Sequence, residues 1–176
     1  FLYLAMIDSD ADKSKFEILY SEYKNLMYYT ANRILHNSSD AEDVVHQAFL
    51  KVIEILDTIS SPRCHKTRAL LVTITEHKAI DLYREKQRRN VLPLAEEYIG
   101  AAPAAEIERL AERDTLAAAI ASLPPRYRSV LLLRYDCGYS NAEIANILDT
   151  TEPNVRKLIQ RAKEKLSAAL SGMEEP

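Results

Sequence analysis

The side chains best suited to nucleic-acid chemistry lie in residues 141–166, NAEIANILDTTEPNVRKLIQRAKEKL. Five polar residues in the second half of this stretch alternate with apolar ones at helical spacing: Asn154, Arg156, Lys157, Gln160 and Arg161. Arg and Lys can pair with guanine or with phosphate, and Asn and Gln can pair with adenine. The pattern therefore predicts a helix that presents hydrogen-bonding groups to a DNA groove.

Two short helices around a tight turn would hold these side chains. The first has an apolar face and a small residue where helices can cross: Ile144, Ile147, Leu148 and Ala145. The second is anchored by apolar residues at helical intervals: Val155, Leu158, Ile159, Ala162 and Leu166. Asp149, Thr150 and Thr151 would form the turn, with Thr151 as N-cap. The pattern predicts a helix-turn-helix, and an amphipathic hairpin with a solvated charged face is the alternative.

Basic side chains are concentrated in two segments of a chain that is acidic overall. The 176 residues include 23 Lys and Arg against 26 Asp and Glu, a net charge of −3. Residues 63–90 carry eight basic and three acidic side chains, and residues 126–166 carry eight and five. Because salt screens charges beyond about 8 to 10 Å, local charge decides whether a surface attracts phosphate. The chain thus has two candidate phosphate-binding segments separated by acidic ones.

The composition and the periodicity predict an all-α protein. Three glycines, no tryptophan and many Leu, Ala, Ile and Glu residues favour helices over sheet. Residues 13–89 show three helical patterns, of which the second is expected to begin after an N-cap at Ser38 or Ser39 and the third to cover residues 66–87. Residues 104–123 can form one helix, Pro125 suits the first turn of the next, and Gly138 suits its C-terminal stop.

We therefore predict two small helical domains joined by a linker, the second containing the helix-turn-helix. The expected boundaries are residues 1–89 for the first domain, 90–105 for the linker and 106–176 for the second domain. Pro93, Gly100 and Pro103 mark the linker.

The residues that could support catalysis or metal binding are scattered along the chain. Its four histidines, His36, His46, His65 and His77, form no HExxH motif, and Cys64 and Cys137 form no CxxC pair. No enzyme activity, metal or cofactor is expected. No apolar run reaches the roughly 18 to 20 residues of a membrane span, so no membrane partner is expected. Two distant cysteines suit reduced thiols in the cytoplasm.

Three motifs in a fixed order resemble the extracytoplasmic-function (ECF) type of bacterial sigma-70 family RNA polymerase sigma factors. DAEDVVHQAFLKVIE is similar to the acidic helix start of sigma region 2, and KTRALLVTITEHKAIDLYREKQRR to the helix that opens the promoter −10 element. LPPRYRSVLLLRYDCGYSNAEIANILDTTEPNVRKLIQRAKEKL is similar to region 4, which reads the −35 element. The resemblance covers roughly residues 16–170.

The resemblance implies an alternative sigma factor that binds core RNA polymerase and directs promoter-specific initiation. The implied partners are the β′ clamp helices, the β flap, promoter DNA and, as for many members of the family, an anti-sigma factor. The implied polymerase-binding residues are Asp40, Glu42, Asp43, Gln47 and Phe49. The implied −10 contacts are His77, Lys78, Arg84, Arg88 and Arg89. The −35 contacts would be the five polar residues of the second helix named above.

Some positions depart from the family pattern. The family often has Trp-Leu where Leu70 and Leu71 stand, and Asn where His77 stands. It usually has Gly-Thr in place of Pro153 and Asn154, and Ser-Arg in place of Lys157 and Leu158. These departures leave the expected fold intact and predict an unusual promoter sequence. Asp81 is expected to pair with Arg84 at i+3.

Two other classes of protein remain open from the sequence. A stand-alone helix-turn-helix transcriptional regulator would need a dimerisation surface and palindromic half-sites. It would leave the first helical block unexplained. A helical adaptor that does not bind DNA would not need Arg156 or Lys157.

Overall fold

The computed structural model describes residues 2–89 and 104–174, and the chain divides into two compact units, Phe1–Pro93 and Leu94–Pro176. The described residues form helices and turns with no β-strand, which confirms the predicted fold class. The boundary between the units falls within the predicted linker. Residues 90–103 of that linker lie outside the described residues, so its bounds stay a prediction.

Three long helices build the first unit: α1 (Asp10–Leu35), α2 (Ser38–Glu54) and α3 (His65–Arg89). A short 3₁₀ turn, Leu4–Met6, precedes α1, and another, Leu56–Thr58, follows α2. All three helices pack against one another. Fully or almost fully buried side chains from each helix form their shared core: Phe16, Leu19, Met27, Phe49, Val52, Leu70, Leu71 and Ile74.

The connection between α1 and α2 determines where α1 ends and where α2 begins. His36 ends α1 with a left-handed backbone, φ 51°, and Asn37 then caps α2 by accepting a hydrogen bond from the Asp40 amide at 3.0 Å. The expected caps Ser38 and Ser39 are wrong, because both are already inside the helix. A two-residue connection makes α1 and α2 antiparallel neighbours and places the N-terminus of α2 beside the C-terminal end of α3, where Lys86 reaches Asp40.

The described part of the second unit, residues 104–174, contains five α-helices. They are α4 (Ala104–Ala111), α5 (Thr115–Ser122), α6 (Pro125–Leu131), α7 (Asn141–Ile147) and α8 (Glu152–Glu174). A single π turn, Leu132–Asp136, continues α6, and Gly138 follows it with φ 77°. The long α8 packs on α5, α6 and α7. Its partners therefore hold it as the central helix of this unit.

The single helix predicted for residues 104–123 is divided into two helices, α4 and α5. The Ala-rich stretch 104–123 breaks before Asp114, whose carboxylate accepts a hydrogen bond from the Leu116 amide at 3.0 Å and caps α5. An aspartate cap satisfies an amide at the start of a helix that has no intrahelical partner. Pro125 in the first turn of α6 and Gly138 after the π turn agree with the sequence analysis.

Candidate nucleic-acid interface

Backbone and side-chain hydrogen bonds fix both ends of α7 and the turn that leads to α8. Ser140 and Glu143 form a reciprocal capping box at the start of α7. At its end, Asp149 adopts φ 53°, its amide bonds the Asn146 carbonyl, and the next amide, of Thr150, bonds the Ala145 carbonyl. This is the Schellman arrangement, with an aspartate where glycine is commonest. It reverses the chain within a few residues.

The N-terminus of α8 is fixed by Thr151, the predicted cap. Its hydroxyl accepts a hydrogen bond from the Asn154 amide at 3.3 Å, and its carbonyl accepts one from Val155 at 3.0 Å. Val155, Leu158, Ile159 and Ala162 are buried, as predicted, against the helices that α8 crosses. The helix-turn-helix is therefore present, and α8 has one face in the core.

The opposite face of α8 carries the five side chains predicted to meet a DNA groove. All are exposed: Asn154, Arg156, Lys157, Gln160 and Arg161. Three of them have local partners: Asn154 Nδ2 donates to Thr150 Oγ1 at 2.7 Å, Gln160 Nε2 donates to Glu164 Oε1 at 3.2 Å, and Arg156 Nη1 lies 3.7 Å from Glu152 Oε2. Such exposed contacts are weak and can be exchanged for contacts to bases or phosphates. The structure thus places these residues on one accessible surface.

Leu158 stands where the family usually has arginine, and the structure shows its alternative role. Its side chain is only 5% exposed and belongs to the core of the second unit. An apolar residue at this position packs inward and offers no donor to DNA. The neighbouring Lys157 is exposed and carries the positive charge instead.

The predicted −10 residues lie along the second half of α3. His77, Lys78 and Arg84 are half-buried, whereas Arg88 and Arg89 are exposed at the helix end. His77 Nε2 lies 3.6 Å from Asp81 Oδ2, a pairing that the sequence did not predict, and the expected pairing of Asp81 with Arg84 stays a prediction. Arg89 Nη2 bonds Glu85 Oε1 at 3.0 Å within the same helix. The last turn of α3 is thus basic and accessible.

The residues implied for polymerase binding lie on α2, with one exception. Glu42, Asp43 and Gln47 are exposed and Asp40 is half-buried, so all four reach the surface. Phe49 does not: its side chain is 0% exposed, and its ring centroid lies 5.0 Å from that of Tyr20 and 5.7 Å from that of Phe16. The prediction that Phe49 contacts polymerase is wrong, because the ring is part of the core between α1 and α2.

A surface cleft of about 340 Å³ separates α2 from α3 in the first unit. Asp40, Asp43 and Gln47 line it from α2, and Lys78, Asp81 and Glu85 line it from α3. One of these lining residues, Asp40, accepts a hydrogen bond from Lys86 Nζ through its Oδ2 atom. Three of the residues expected to bind polymerase and one residue expected to bind DNA, Lys78, therefore border the same cleft.

The loop between α2 and α3 contains features that sequence reasoning missed. The Tyr23 hydroxyl donates to the Pro62 carbonyl at 2.8 Å, and the Thr67 hydroxyl donates to the Ser61 carbonyl at 2.5 Å, so the loop is tied to α1 and α3. Three exposed basic residues, Arg63, Lys66 and Arg68, stand at the loop end and the start of α3. The sequence signal for these three residues is the basic charge of residues 63–90.

Two ionisable groups in this loop region have shifted pKa values. Hydrogen bonding between the Cys64 thiol and the Thr67 side chain, above all, lowers the pKa of this thiol below its ordinary value, and the Thr67 backbone adds to that shift. Burial raises the pKa of the Tyr23 phenol, and the nearby Cys64 adds to that shift. Tyr23 is therefore a neutral hydrogen-bond donor near neutral pH, which suits its bond to Pro62.

No group of three or more His, Cys, Asp or Glu side chains in the described part of the chain is arranged to hold a metal ion. Within residues 2–89 and 104–174, every helix is too short or too polar to cross a membrane.

Each of the two units contains a match to a known protein family. Residues 19–89 match the model of Sigma-70 region 2, and residues 113–166 match the model of Sigma-70, region 4. The ECF RNA polymerase sigma factor SigW of Bacillus subtilis is 27% identical over 171 residues, covering 90% of each chain. The ECF RNA polymerase sigma factor SigL of Mycobacterium tuberculosis is 26% identical over 162 residues, covering 91% of each.

A solved structure of CnrH in complex with the cytosolic domain of CnrY is similar to this chain over 89% of its length and 88% of that chain. The sequence identity is 28% and the TM-score 0.40.

The fold and the exposed face of α8 define a helix-turn-helix protein whose first unit is a separate three-helix domain. The chain belongs to the sigma-70 family and is a sigma factor of the ECF type. It therefore binds core RNA polymerase and promoter DNA, and the family is one of non-catalytic transcription initiation factors. A stand-alone regulator is not favoured, because region 2 accounts for the first helical block.

Proposed function

We propose that the three surfaces divide the work of promoter-specific initiation. The exposed part of α2, with Asp40, Glu42, Asp43 and Gln47, docks on the β′ clamp helices of core polymerase. An acidic surface suits a basic helical partner, because complementary charge speeds encounter and fixes register. The β flap is the expected partner of the second unit.

The second half of α3 holds DNA at the −10 element. Arg88 and Arg89 would contact phosphates, and His77, Lys78 and Arg84 lie further back along the same helix. Basic side chains along a helix can follow the backbone of a melted strand while a base is held out of the stack. Arg63 in the preceding loop and Lys66 and Arg68 in the first turns of α3 add exposed basic side chains at the other end of this helix.

The helix α8 enters the major groove at the −35 element. The observation that carries the proposal is its exposed row of Asn154, Arg156, Lys157, Gln160 and Arg161 on a helix whose other face is buried. Asn154 and Gln160 can read adenine, and the basic residues can read guanine or hold phosphates. Residues 90–105 would let the two units reach separate promoter elements.

The protein itself would catalyse no reaction, since it lends specificity to the polymerase. It would act in the cytoplasm, where bacterial polymerase meets the chromosome. The unbound protein would bind duplex DNA weakly and lose that binding steeply as salt rises.

A pull-down and run-off transcription assay with core RNA polymerase and a pool of promoter fragments tests this function. Binding to core together with initiation from a subset of fragments is the expected result, and the subset would reveal what His77 and Asn154 read. Binding of palindromic duplex DNA by a dimer, without any binding to core, would instead support a stand-alone regulator.

A further inference from the structure

One ion pair joins the surface proposed for polymerase to the helix proposed for the −10 element. Lys86 Nζ in the last turn of α3 donates a hydrogen bond to Asp40 Oδ2 in the first turn of α2. The Asp40 side chain is 18% exposed and the Lys86 side chain 46%. The lysine therefore covers a carboxylate that would otherwise face the cleft between the two helices.

Each partner is also stabilised by its own helix. Asp40 lies at the positive end of the α2 dipole, where its amide is held by the Asn37 cap. Lys86 lies at the negative end of the α3 dipole. Charges at these ends are favourable without any further partner. The pair can consequently open while both helices keep their ends.

Four other contacts between basic side chains and carboxylates on the proposed DNA surfaces do not involve α2. Arg89 pairs with Glu85 inside α3, His77 faces Asp81 inside α3, and Arg156 faces Glu152 inside α8. Arg63, in the loop before α3, pairs with Glu22 of α1. The pair of Lys86 with Asp40 differs from these four because it uses a residue of the proposed polymerase surface.

We propose that Lys86 is an intramolecular competitor of core polymerase for Asp40. It covers the Asp40 carboxylate in the unbound chain, and a basic side chain of the polymerase displaces it when α2 docks. The displaced ammonium then adds one positive charge to the basic end of α3, beside Arg88 and Arg89. Docking thereby strengthens DNA binding by the helix next to it. This inference rests on the proposed function of α2.

The test measures the affinity of the full chain for core polymerase in the absence of DNA. Lys86→Gln removes the charge but keeps most of the side-chain length, and Lys86→Arg keeps the charge. Because a partly exposed ion pair contributes up to about 1 kcal/mol, Lys86→Gln should bind core about two- to fivefold more tightly. Lys86→Arg should bind like the unmodified chain. Lys24→Ala, which removes the same charge from α1, should change little.

A double-mutant cycle identifies the partner. Asp40→Asn should weaken core binding, and in that background Lys86→Gln should have no further effect. Circular dichroism of every variant checks that the helices are retained. An unchanged or weaker affinity of Lys86→Gln for core, with the same helix content, would overturn the inference, as would an equal effect of Lys86→Gln in the Asp40→Asn background.

Run-off transcription by the unmodified chain distinguishes failure of the competitor role of Lys86 from failure of the proposed function. If it initiates while Lys86→Gln shows no gain in core affinity, the proposed function stands and the competitor role of Lys86 is wrong. If the unmodified chain does not bind core at all, the proposed function and the inference both fail.

Discussion

Phe49 shows how a single residue can match a family motif and still have another role. Its ring is fully buried among Phe16, Tyr20 and Tyr3, with centroid distances of 5.0–5.9 Å. Buried aromatic rings in mutual contact contribute strongly to core stability. Phe49 thus positions α2 against α1, and the neighbouring polar residues remain outside.

Replacing Phe49 tests this assignment. Phe49→Ala should lower the free energy of unfolding by about 3 to 5 kcal/mol, because it removes buried surface and leaves a cavity. Phe49→Leu should lose less and keep its affinity for core polymerase. Urea unfolding followed by circular dichroism measures the first effect, and a core-binding assay the second. If Phe49→Leu is stable but binds core polymerase poorly, Phe49 contributes to polymerase binding after all.

Lys157 and Lys165 offer a matched pair on α8. Lys157 is exposed on the proposed DNA face, whereas Lys165 Nζ lies 5.3 Å from the centre of the Tyr127 ring. Lys157→Ala should weaken binding of −35 duplex and reduce the slope of log affinity against log salt by about one. Lys165→Ala should have a much smaller effect. Salt titrations of a labelled duplex measure both, and equal losses for the two variants would contradict the assigned face.

Cys64 gives a prediction of pH dependence. Because hydrogen bonding with the Thr67 side chain and backbone lowers the pKa of this thiol, the thiolate forms at lower pH in the folded chain than in the unfolded chain. In a Cys137→Ser background, alkylation of Cys64 should therefore rise at lower pH in buffer than in urea. Thr67→Val should move the folded profile to higher pH, and Thr67→Ser should leave it nearly in place. Coincident profiles for folded and unfolded protein would refute the shift.

At the scale of helices and turns, the sequence predicted the elements better than their ends. The spacing of Phe16, Leu19, Met27 and Ile34 revealed α1, because burial of one helix face imposes that spacing. The sequence pattern predicts a serine cap for α2, whereas in the structure Asn37 caps this helix. Several polar residues in a row can each cap a helix, and the tertiary path of the chain selects one.

The break before Asp114 was missed for a similar reason. The Ala-rich sequence on both sides has high helix propensity, and propensity alone predicts one continuous helix. Packing of α4 and α5 on one another requires the chain to turn. The capping ability of Asp114 was visible in the sequence, but the need for a cap was not.

His36 gives a prediction at the scale of a connection. Its φ of 51° lies in the left-handed region, which costs an L-residue with a Cβ roughly 1 to 2 kcal/mol and costs glycine little. His36→Gly should therefore be more stable than His36→Ala by about 1 kcal/mol, although glycine also gains freedom in the unfolded chain. Urea unfolding of the two variants, compared directly, measures this difference. If His36→Ala is the more stable variant, the turn has left the left-handed backbone conformation in that variant.

At the scale of the whole molecule, each unit has its own core. Phe16, Phe49 and Leu71 are fully buried in the first unit, and Val130, Leu133 and Ile144 in the second. A fragment of residues 1–93 and one of residues 94–176 should each unfold cooperatively in urea, because each retains its buried side chains. Circular dichroism of the fragments measures this. A fragment without a cooperative transition would show that its core needs the other unit.

The site was predictable where it follows a local period and unpredictable where it depends on distant residues. The exposed row on α8 repeats with the helix, so the sequence alone located all five side chains. Asp40 and Lys86 are 46 residues apart, and their contact depends on how α2 crosses α3. The same holds for Tyr23 and Pro62, 39 residues apart, since no periodic pattern links a helix to a later loop.

The ring cluster around Phe49 has an optical consequence. The protein has ten tyrosines and no tryptophan, so its near-ultraviolet circular dichroism arises mainly from tyrosine. Tyr3, just before the first helical turn, lies 5.3 Å from Phe16 and 6.0 Å from Tyr20 between ring centroids, and its hydroxyl lies 2.6 Å from His46 Nδ1. Fixed ring packing is what generates such a signal. Packing of Tyr3 against α1 and α2 should thus contribute to this spectrum, and loss of that packing should reduce the signal without any label being needed.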